Sequence, residues 1–320
     1  MTSGLALEGL KKSFVGKTII RDVDLDIEAG RVVGVVGPNG SGKTTLFSLI
    51  AGYLKPDAGT VEIDGSPVSP KGAHCGKLGI LPQDARFLPQ VTIREQFTWY
   101  ARLMGFGRQA ARQETERVLA LTDLVEAGNK TGGQLSHGMH KRAAVSQAFI
   151  GEPGLLVLDE PTAGLDPANA RVMRELIEAQ RGQRTILVSS HDLDEVADLC
   201  DDITIFDRGR LVTSESIRSF TGDEGILTFS LAAAAPDALL DRLNERPEVT
   251  QVDTNADRTR IACRLGVEDA ENPDEIAALL GVIQSEGATF LQVTKGSTLE
   301  DRFYEVTRGG PARQSRTADA

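Results

Sequence analysis

The residues with the clearest chemical capacity lie between positions 37 and 45, where the sequence reads GPNGSGKTT. Glycines at this spacing let consecutive backbone N–H groups curl around phosphate oxygens, because they carry no Cβ. Lys43 would then reach the terminal phosphates and Thr44 would offer its hydroxyl to Mg²⁺; a chance match of a glycine-rich turn is the alternative. The residues expected to bind the phosphates are Gly37, Asn39, Gly40, Ser41, Gly42, Lys43, Thr44 and Thr45.

Two acids end the apolar stretch GLLVLDE, which is predicted to be a strand next to this loop. Asp159 is suited to hold the water shell of Mg²⁺ and, with Thr44, to complete an octahedral site, whereas a solvated acid at a strand end is the alternative. Glu160 is the expected general base, which orients and deprotonates the water that attacks the γ-phosphorus.

A histidine at position 191 follows the predicted strand RTILVSS. Strands of an α/β sheet bring their carboxyl ends to the edge where such sheets bind ligands, so His191 is expected beside Glu160. There it would stabilise charge on the γ-phosphate and hold Glu160 in place. The alternative is an ordinary surface or capping histidine.

Composition narrows the class of protein. The chain has 320 residues, with 40% hydrophobic and 25% charged residues, which is typical of a globular protein of two domains. A formal net charge of -11, without a Lys/Arg cluster that includes aromatics, argues against nucleic acid as a partner. Cys75, Cys200 and Cys263 lack the spacing of a metal site. Neither an apolar leader nor a membrane-spanning run occurs, which predicts a cytoplasmic protein.

Hydrophobic periodicity predicts the elements that position these residues. Strands are predicted around the phosphate loop, and the order strand, helix, strand over GLLVLDE, NARVMRELIEAQ and RTILVSSH predicts a parallel, right-handed crossover in an α/β sheet. After a break near residue 222, the order βαββαβ predicts a small ferredoxin-like domain. The predicted division is a first domain over 1–220 with a helical insert at about 86–150, an α+β accessory domain over 221–306, and a disordered tail over 307–320.

Together these motifs resemble those of the ATP-binding subunits of ABC transporters, over about residues 5 to 210. GPNGSGKTT resembles the Walker A motif, LLVLDE the Walker B motif, LSHGM the signature, LPQ the Q-loop and AGLD the D-loop, with His191 as the switch histidine. The resemblance implies a P-loop ABC ATPase core with an antiparallel β subdomain and a helical insert, and ATP and Mg²⁺ as cofactors. It also implies that Gln83 contacts Mg²⁺ or the attacking water and that Phe14 stacks on adenine. A core position is the alternative for Phe14.

The signature LSHGM departs from the commoner LSGGQ, because His137 and Met139 replace a glycine and a glutamine. Ser136 and Gly138 are retained, at positions where a hydroxyl and a backbone N–H at a helix start bind the γ-phosphate. In the family the signature completes the site of a second subunit. The resemblance therefore implies that two copies, or one copy and a paralogue, sandwich two ATP molecules, with Asp166 coupling the two sites.

The resemblance also implies an integral membrane permease as partner, which places the protein on the inner face of the cell membrane. The candidate docking surface is FLPQVTIREQFTWYARLMG, where aromatic residues lie close together in the sequence. Aromatics are enriched at interfaces, although helical spacing assigns about half of these to the core. At least one of Trp99 and Tyr100 is expected to line a docking groove; the other aromatics are Phe87 and Phe97.

The stretch STLEDRFYEVTRG resembles the close of the ATPase subunits of ABC-2 type exporters, which favours export over import. A soluble ABC protein acting on ribosomes or DNA is disfavoured, because the chain has neither a repeated phosphate loop nor sustained heptads. The LSHGM signature leaves open a nucleotide-gated regulator with little turnover. His74 and His140 are expected to be surface residues.

Overall fold

The computed structural model describes residues 3–68, 76–222, 225–266, 272–296 and 298–307. Contacts divide the chain into two compact units, Met1–Glu215 and Ser216–Ala320. His74, Cys75 and the predicted tail beyond Thr307 lie outside the described residues. No helix in the described ranges is both long and apolar enough to cross a membrane.

The first unit combines an open α/β sheet with a second, antiparallel sheet and a group of helices. Strands up to residue 216 are β1 (Ser3–Phe14), β2 (Lys17–Glu28), β3 (Val32–Val36), β4 (Ala58–Ile63), β5 (Ser66–Pro67), β6 (Leu78–Leu81), β7 (Leu155–Asp159), β8 (Thr185–Ser189), β9 (Asp202–Asp207) and β10 (Arg210–Ser216). Helices in the same part are α1 (Lys43–Ile50), α2 (Ile93–Leu103), α3 (Arg108–Leu121), α4 (His137–Ala148), α5 (Pro167–Glu178) and α6 (Leu193–Leu199).

The central sheet has six strands in the order β10-β9-β3-β8-β7-β6. Strands β3, β7 and β8 are buried at every position, as expected for parallel strands covered on both faces. Strand β7 pairs in parallel with β8, and α5 connects them, so the predicted crossover in an α/β sheet is confirmed. Asp159 lies in register with Ser189, and Ser189 with Val35, which brings three strand ends to one edge.

The antiparallel sheet has the order β2-β1-β4-β5 and shares a hydrophobic core with the central sheet. Val23, Leu25 and Ile27 of β2 are buried, whereas the acidic residues between them are exposed. This alternation is what a strand with one face on the core requires. The sheet therefore holds the start of β2 against the phosphate loop. The two segments are so close that a Cβ added to Gly42 would lie 3.3 Å from the carbonyl oxygen of Ile19.

Helices α2, α3 and α4 occupy the predicted helical insert. A capping box starts α2, because the Thr92 side chain accepts from the Glu95 N–H while the Glu95 carboxylate accepts from the Thr92 N–H. Ser136 caps α4 by accepting from the Met139 N–H at 3.3 Å. The signature residues thus form the N-terminus of a 12-residue helix.

The second unit contains one four-stranded antiparallel sheet in the order β12-β13-β11-β14. Its strands are β11 (Ile226–Leu231), β12 (Val249–Thr254), β13 (Arg260–Leu265) and β14 (Phe290–Lys295), and its helices are α7 (Ile217–Thr221), α8 (Asp237–Asn244), α9 (Pro273–Ser285) and α10 (Leu299–Thr307). The helices pack on the sheet through Leu239, Leu243, Leu279 and Ile283.

The two cysteines in the described residues are buried. Burial raises the pKa of Cys263, in the core of the second unit, to about 12, and it does the same for Cys200 in the first unit. Neither thiol is therefore expected to react as a thiolate.

Candidate functional site

The phosphate loop connects the end of β3 to the start of α1. Gly42 precedes the helix with a φ of 115°, a conformation that side chains with a Cβ rarely adopt. A Cβ added to Gly37 would lie 2.0 Å from the carbonyl oxygen of Phe206, because the backbone of β9 packs directly against the loop at this position. Both positions therefore require glycine, and the loop keeps its N–H groups at the N-terminus of α1.

The interior of this loop is suited to an anion. The hydroxyl oxygen of Ser41 is buried and has no hydrogen-bond partner among the described residues. The Lys43 ammonium donates to the carbonyl oxygens of Gly37 at 2.6 Å and Pro38 at 3.3 Å, so it lies across the loop. Burial lowers the pKa of Lys43, while the charges of Asp159 and Glu160 act in the opposite direction. Asn39 and Gly40 are exposed, and Thr45 is half-buried in α1.

The predicted metal ligands meet at the edge of the central sheet. The Thr44 hydroxyl lies 3.5 Å from Oδ2 of Asp159, which is 6% exposed. The Ser189 hydroxyl donates to Oδ1 of the same carboxylate at 2.5 Å. Hydroxyl and carboxylate oxygens are the ligands that Mg²⁺ takes beside nucleotide phosphates, so this donor set fits the metal.

Glu160 and His191 lie together at the same edge. Nδ1 of His191 is 3.4 Å from Oε1 of Glu160. The Glu160 side chain is 27% exposed and the His191 side chain 74% exposed, so both reach solvent. This arrangement suits a carboxylate base held in place by an imidazole.

A cleft with a volume of about 620 Å³ lies beside Glu160. Gln83, which follows β6, lines the cleft together with Ser136 and Lys141 from the start of α4. Burial lowers the pKa of Lys141, and the charges of Glu160 and Asp159 oppose that shift. Sequence reasoning missed Lys141, although it lies four positions after His137 on one helix, a spacing that places both on the same face.

The signature loop contacts the AGLD loop of its own chain. His137 packs so closely on Gly164 that a Cβ added to this glycine would lie 3.0 Å from Nε2 of the histidine. In the same way, a Cβ added to Gly138 would lie 3.0 Å from Nδ2 of Asn169 at the start of α5. Asp166 caps α5 by accepting from the Asn169 N–H at 3.0 Å. Among the described residues, no hydrogen bond or ion pair joins Ser136 or Asp166 to the phosphate loop.

Phe14 ends β1 with its ring 42% exposed, so the core alternative for this residue is wrong. The Lys12 ammonium lies 5.4 Å from the ring centroid, in cation–π range. An exposed aromatic face thus lies at the tip of the β1–β2 hairpin.

His140 was expected to be a surface residue, and the structure corrects this in part: it lines the cleft beside Glu160 but is only partly exposed. Its ring lies 5.1 Å from the ring of Phe87 in a T-shaped contact and is half-buried. Burial lowers the pKa of His140, and the nearby His137 and Lys141 lower it further. The reason is packing between α4 and the segment that follows Gln83, which sequence pattern does not reveal.

The half-buried imidazole of His140 predicts a pH-dependent stability. Because the folded chain holds His140 with a lowered pKa, the unfolded chain binds more protons between that pKa and about 6.5, so stability falls as pH drops through this window. We expect the free energy of unfolding in urea to fall between about pH 7.5 and pH 5.5, and less so for His140→Gln. Identical pH dependences for the two proteins would contradict this assignment.

The four aromatics of the candidate docking surface differ in burial; three lie on α2 and Phe87 precedes that helix. Phe87 and Phe97 are buried, Tyr100 is half-buried, and Trp99 is 47% exposed. Trp99 lines a groove of about 400 Å³. Charged residues of α2 and α3 line the same groove, including Arg94, whose Nε donates to Glu116 at 2.7 Å.

Comparison with known proteins adds independent findings. The model of the ABC transporter family matches residues 20–163. Nod factor export ATP-binding protein I of Burkholderia lata is 30% identical over 303 residues, which cover 93% of this chain and 95% of that one. Daunorubicin resistance ATP-binding protein DrrA3 of Streptomyces coeruleorubidus is 32% identical over 315 residues, which cover 95% of this chain and 96% of that one.

Solved structures agree with this fold. The structure of cbiO1 from Clostridium perfringens, part of the ABC transporter complex cbiONQ, is 27% identical with a TM-score of 0.62, covering 77% of this chain and 96% of that one. The dimeric ATP-binding cassette MJ0796 bound to ADP and Pi has the same TM-score at 23% identity, covering 67% of this chain and 99% of that one. At that identity the second match supports the fold alone.

Proposed function

The chain belongs to the family of ATP-binding subunits of ABC transporters, and from this premise we propose that it binds Mg·ATP, hydrolyses it and drives export through a separate membrane protein. The observation that carries the proposal is the arrangement of Glu160 and His191, 3.4 Å apart, at the sheet edge that also holds Asp159 and the phosphate loop. A regulator with little turnover is not favoured, because relatives similar over nearly the whole chain are named as export or resistance ATP-binding proteins.

Each site residue has a proposed role in hydrolysis. Lys43 and the loop N–H groups hold the β- and γ-phosphates, and Phe14 stacks on adenine. Asp159 and Thr44 hold Mg²⁺, which when bound neutralises charge on the phosphates. Glu160 takes a proton from the attacking water as its oxygen bonds to the γ-phosphorus and the bond to the β-phosphate oxygen breaks.

Two further residues adjust this reaction. His191 is proposed to hold the Glu160 carboxylate in place and to stabilise charge on the γ-phosphate. Gln83, in the cleft beside Glu160, is proposed to contact Mg²⁺ or the attacking water. Steady phosphate release by the purified chain, lost in Glu160→Gln, tests the proposal, because a nucleotide-gated sensor would bind ATP without turnover.

We propose that two copies form a head-to-tail homodimer around two ATP molecules. Ser136 is exposed at the N-terminus of α4, where a hydroxyl and helix N–H groups suit an anion from outside the chain. Gly138 would offer its N–H beside Ser136, and Asp166 would couple the two sites, because its helix packs against the signature loop. Opening of this pair after hydrolysis would convert phosphate chemistry into motion.

The membrane partner is proposed to be an integral permease, which recruits the chain to the inner face of the cell membrane. Trp99 in its groove on α2 is the proposed anchor, because exposed aromatics in pockets dominate interface energies. Within the second unit, residues 221–306 are proposed to form an accessory domain with the ferredoxin-like fold, on the basis of the strand order and the two helices packed on the sheet. A dimer-stabilising or regulatory role is proposed for it.

Trp99→Ala is expected to weaken recruitment to membranes that contain the permease by about 30-fold, the effect of removing an interface hot spot. ATP affinity should be unchanged, because Trp99 is not among the residues proposed to bind the nucleotide. The measurement is co-sedimentation with membrane vesicles, alongside binding of a fluorescent ATP analogue. Leu291→Ala, which removes an exposed apolar side chain from the second unit, is the control. Unchanged sedimentation of Trp99→Ala would contradict the docking proposal.

A further inference from the structure

Ser189 is the last residue of β8 and lies between the two acids of the site. Its side chain is 0% exposed, and it lies in register with Asp159 on the neighbouring strand β7. The hydroxyl donates to Oδ1 of Asp159 at 2.5 Å and accepts the backbone N–H of Glu160 at 2.9 Å. One buried hydroxyl thus bridges the proposed metal ligand and the proposed general base.

The bond to Asp159 fixes how its carboxylate is turned. A hydroxyl has a single proton to donate, and here that proton is committed to Oδ1. Bonds from a hydroxyl to a carboxylate are short and strong, so the group has little freedom to rotate. Oδ2 is left on the side of Thr44, 3.5 Å from its hydroxyl, where the metal would lie.

The hydrogen bond from the Glu160 N–H to the Ser189 hydroxyl restrains an unusual backbone conformation at Glu160. Glu160 has a φ of 48°, in the left-handed region that residues other than glycine seldom adopt. Such conformations persist only where the surroundings determine them, and the N–H bond to Ser189 is one such restraint. In this conformation the Glu160 carboxylate reaches Nδ1 of His191.

The next residue shows what an ordinary buried serine does at this strand end. The Ser190 hydroxyl donates to Glu195 at 2.8 Å and accepts the N–H of Asp192 at 3.1 Å, which links β8 to the start of α6. Neither partner belongs to the proposed site. Ser189 differs because both of its partners do.

We propose that Ser189 is a positioning residue that sets the relation between the metal-binding carboxylate of Asp159 and the base Glu160, an inference that rests on the roles proposed for those two acids. It acts in the way that partners of metal ligands act in other sites, by orienting a ligand without touching the metal. Loss of its hydroxyl should therefore weaken metal binding before it weakens nucleotide binding.

The test uses Mn²⁺ in place of Mg²⁺, with the full chain and a non-hydrolysable ATP analogue. Electron paramagnetic resonance of free Mn²⁺ gives the metal Kd, and titration of the analogue in EDTA gives nucleotide affinity without metal. For Ser189→Ala we expect the Mn²⁺ Kd to rise by about tenfold or more with nucleotide affinity in EDTA unchanged. Ser189→Thr, which restores a hydroxyl, should return the Kd towards the wild-type value.

Ser146→Ala is the matched control, because Ser146 is also fully buried and its hydroxyl has two partners, Thr122 and the carbonyl oxygen of Arg142. Its Mn²⁺ Kd should equal that of the wild type. If Ser189→Ala does not fold, Ser189→Cys, with a similar volume and a weaker donor, carries the same expectation.

The outcomes distinguish a failure of the role inferred for Ser189 from a failure of the metal-binding role proposed for Asp159. A wild-type Mn²⁺ Kd in Ser189→Ala or Ser189→Cys, with Asp159→Asn showing weakened binding, overturns the inference alone. Equal Mn²⁺ binding by wild type and Asp159→Asn overturns the metal role proposed for Asp159 and this inference with it.

Discussion

Glu160→Gln is expected to lower steady ATP hydrolysis by about 10²- to 10⁴-fold, the contribution of a positioned general base. Glutamine keeps the size of the side chain and its contact distance to His191, but its amide cannot accept a proton from water. ATP binding depends on the phosphate loop, which this change leaves intact. The variant should therefore bind Mg·ATP and remain in the ATP-bound pair, because the step that opens the pair is missing.

Phosphate release at saturating Mg·ATP measures this effect, and sedimentation with ATP measures the pair. Glu178→Gln is the control, because that carboxylate is exposed at the end of α5 and belongs to no site described above. Hydrolysis by Glu160→Gln at the rate of the control would assign the base to another group. If Glu160→Gln lost both ATP binding and hydrolysis, the substitution would have damaged the fold, and the loss of hydrolysis would not identify Glu160 as the base.

Lys43→Ala is expected to raise the Kd for ATP by about 100-fold, or about 3 kcal/mol, and to stop hydrolysis. The ammonium lies across the phosphate loop on two carbonyl oxygens, from which it would move to the β- and γ-phosphates. Alanine leaves phosphate charge in the loop without a cation, and a charge left without its partner in a half-buried site is costly.

Equilibrium titration with a fluorescent ATP analogue measures the change in affinity. Lys55→Ala provides the control, because Lys55 is an exposed lysine shortly after α1 and its removal changes net charge by the same amount. Binding should be unchanged in that variant. Equal affinities in Lys43→Ala and Lys55→Ala would mean that the phosphates bind elsewhere.

Local spacing predicts the strand, loop, helix order around residues 37–45 and the parallel crossover, because each depends on residues that are close in sequence. Gly40 and Gly42 adopt positive φ angles within the loop itself, and β7, α5 and β8 follow one another along the chain. The α/β core follows from those elements by the handedness of the crossover.

Features that depend on pairing between distant segments were not predictable in the same way. Strand β6 is only four residues long, LGIL, and exists because it pairs with β7. The role of Ser189 depends on its register with Asp159, which no pattern within β8 contains. His140 is half-buried because Phe87 packs on it from another segment.

The most direct test of the transporter account is to express tagged Glu160→Gln in the native host, solubilise the membranes with Mg·ATP present, and identify the proteins that co-purify. The account predicts a stoichiometric protein with several membrane spans, together with this chain as a pair. A preparation that contains this chain alone, or ribosomal or DNA-associated proteins, would contradict the export function.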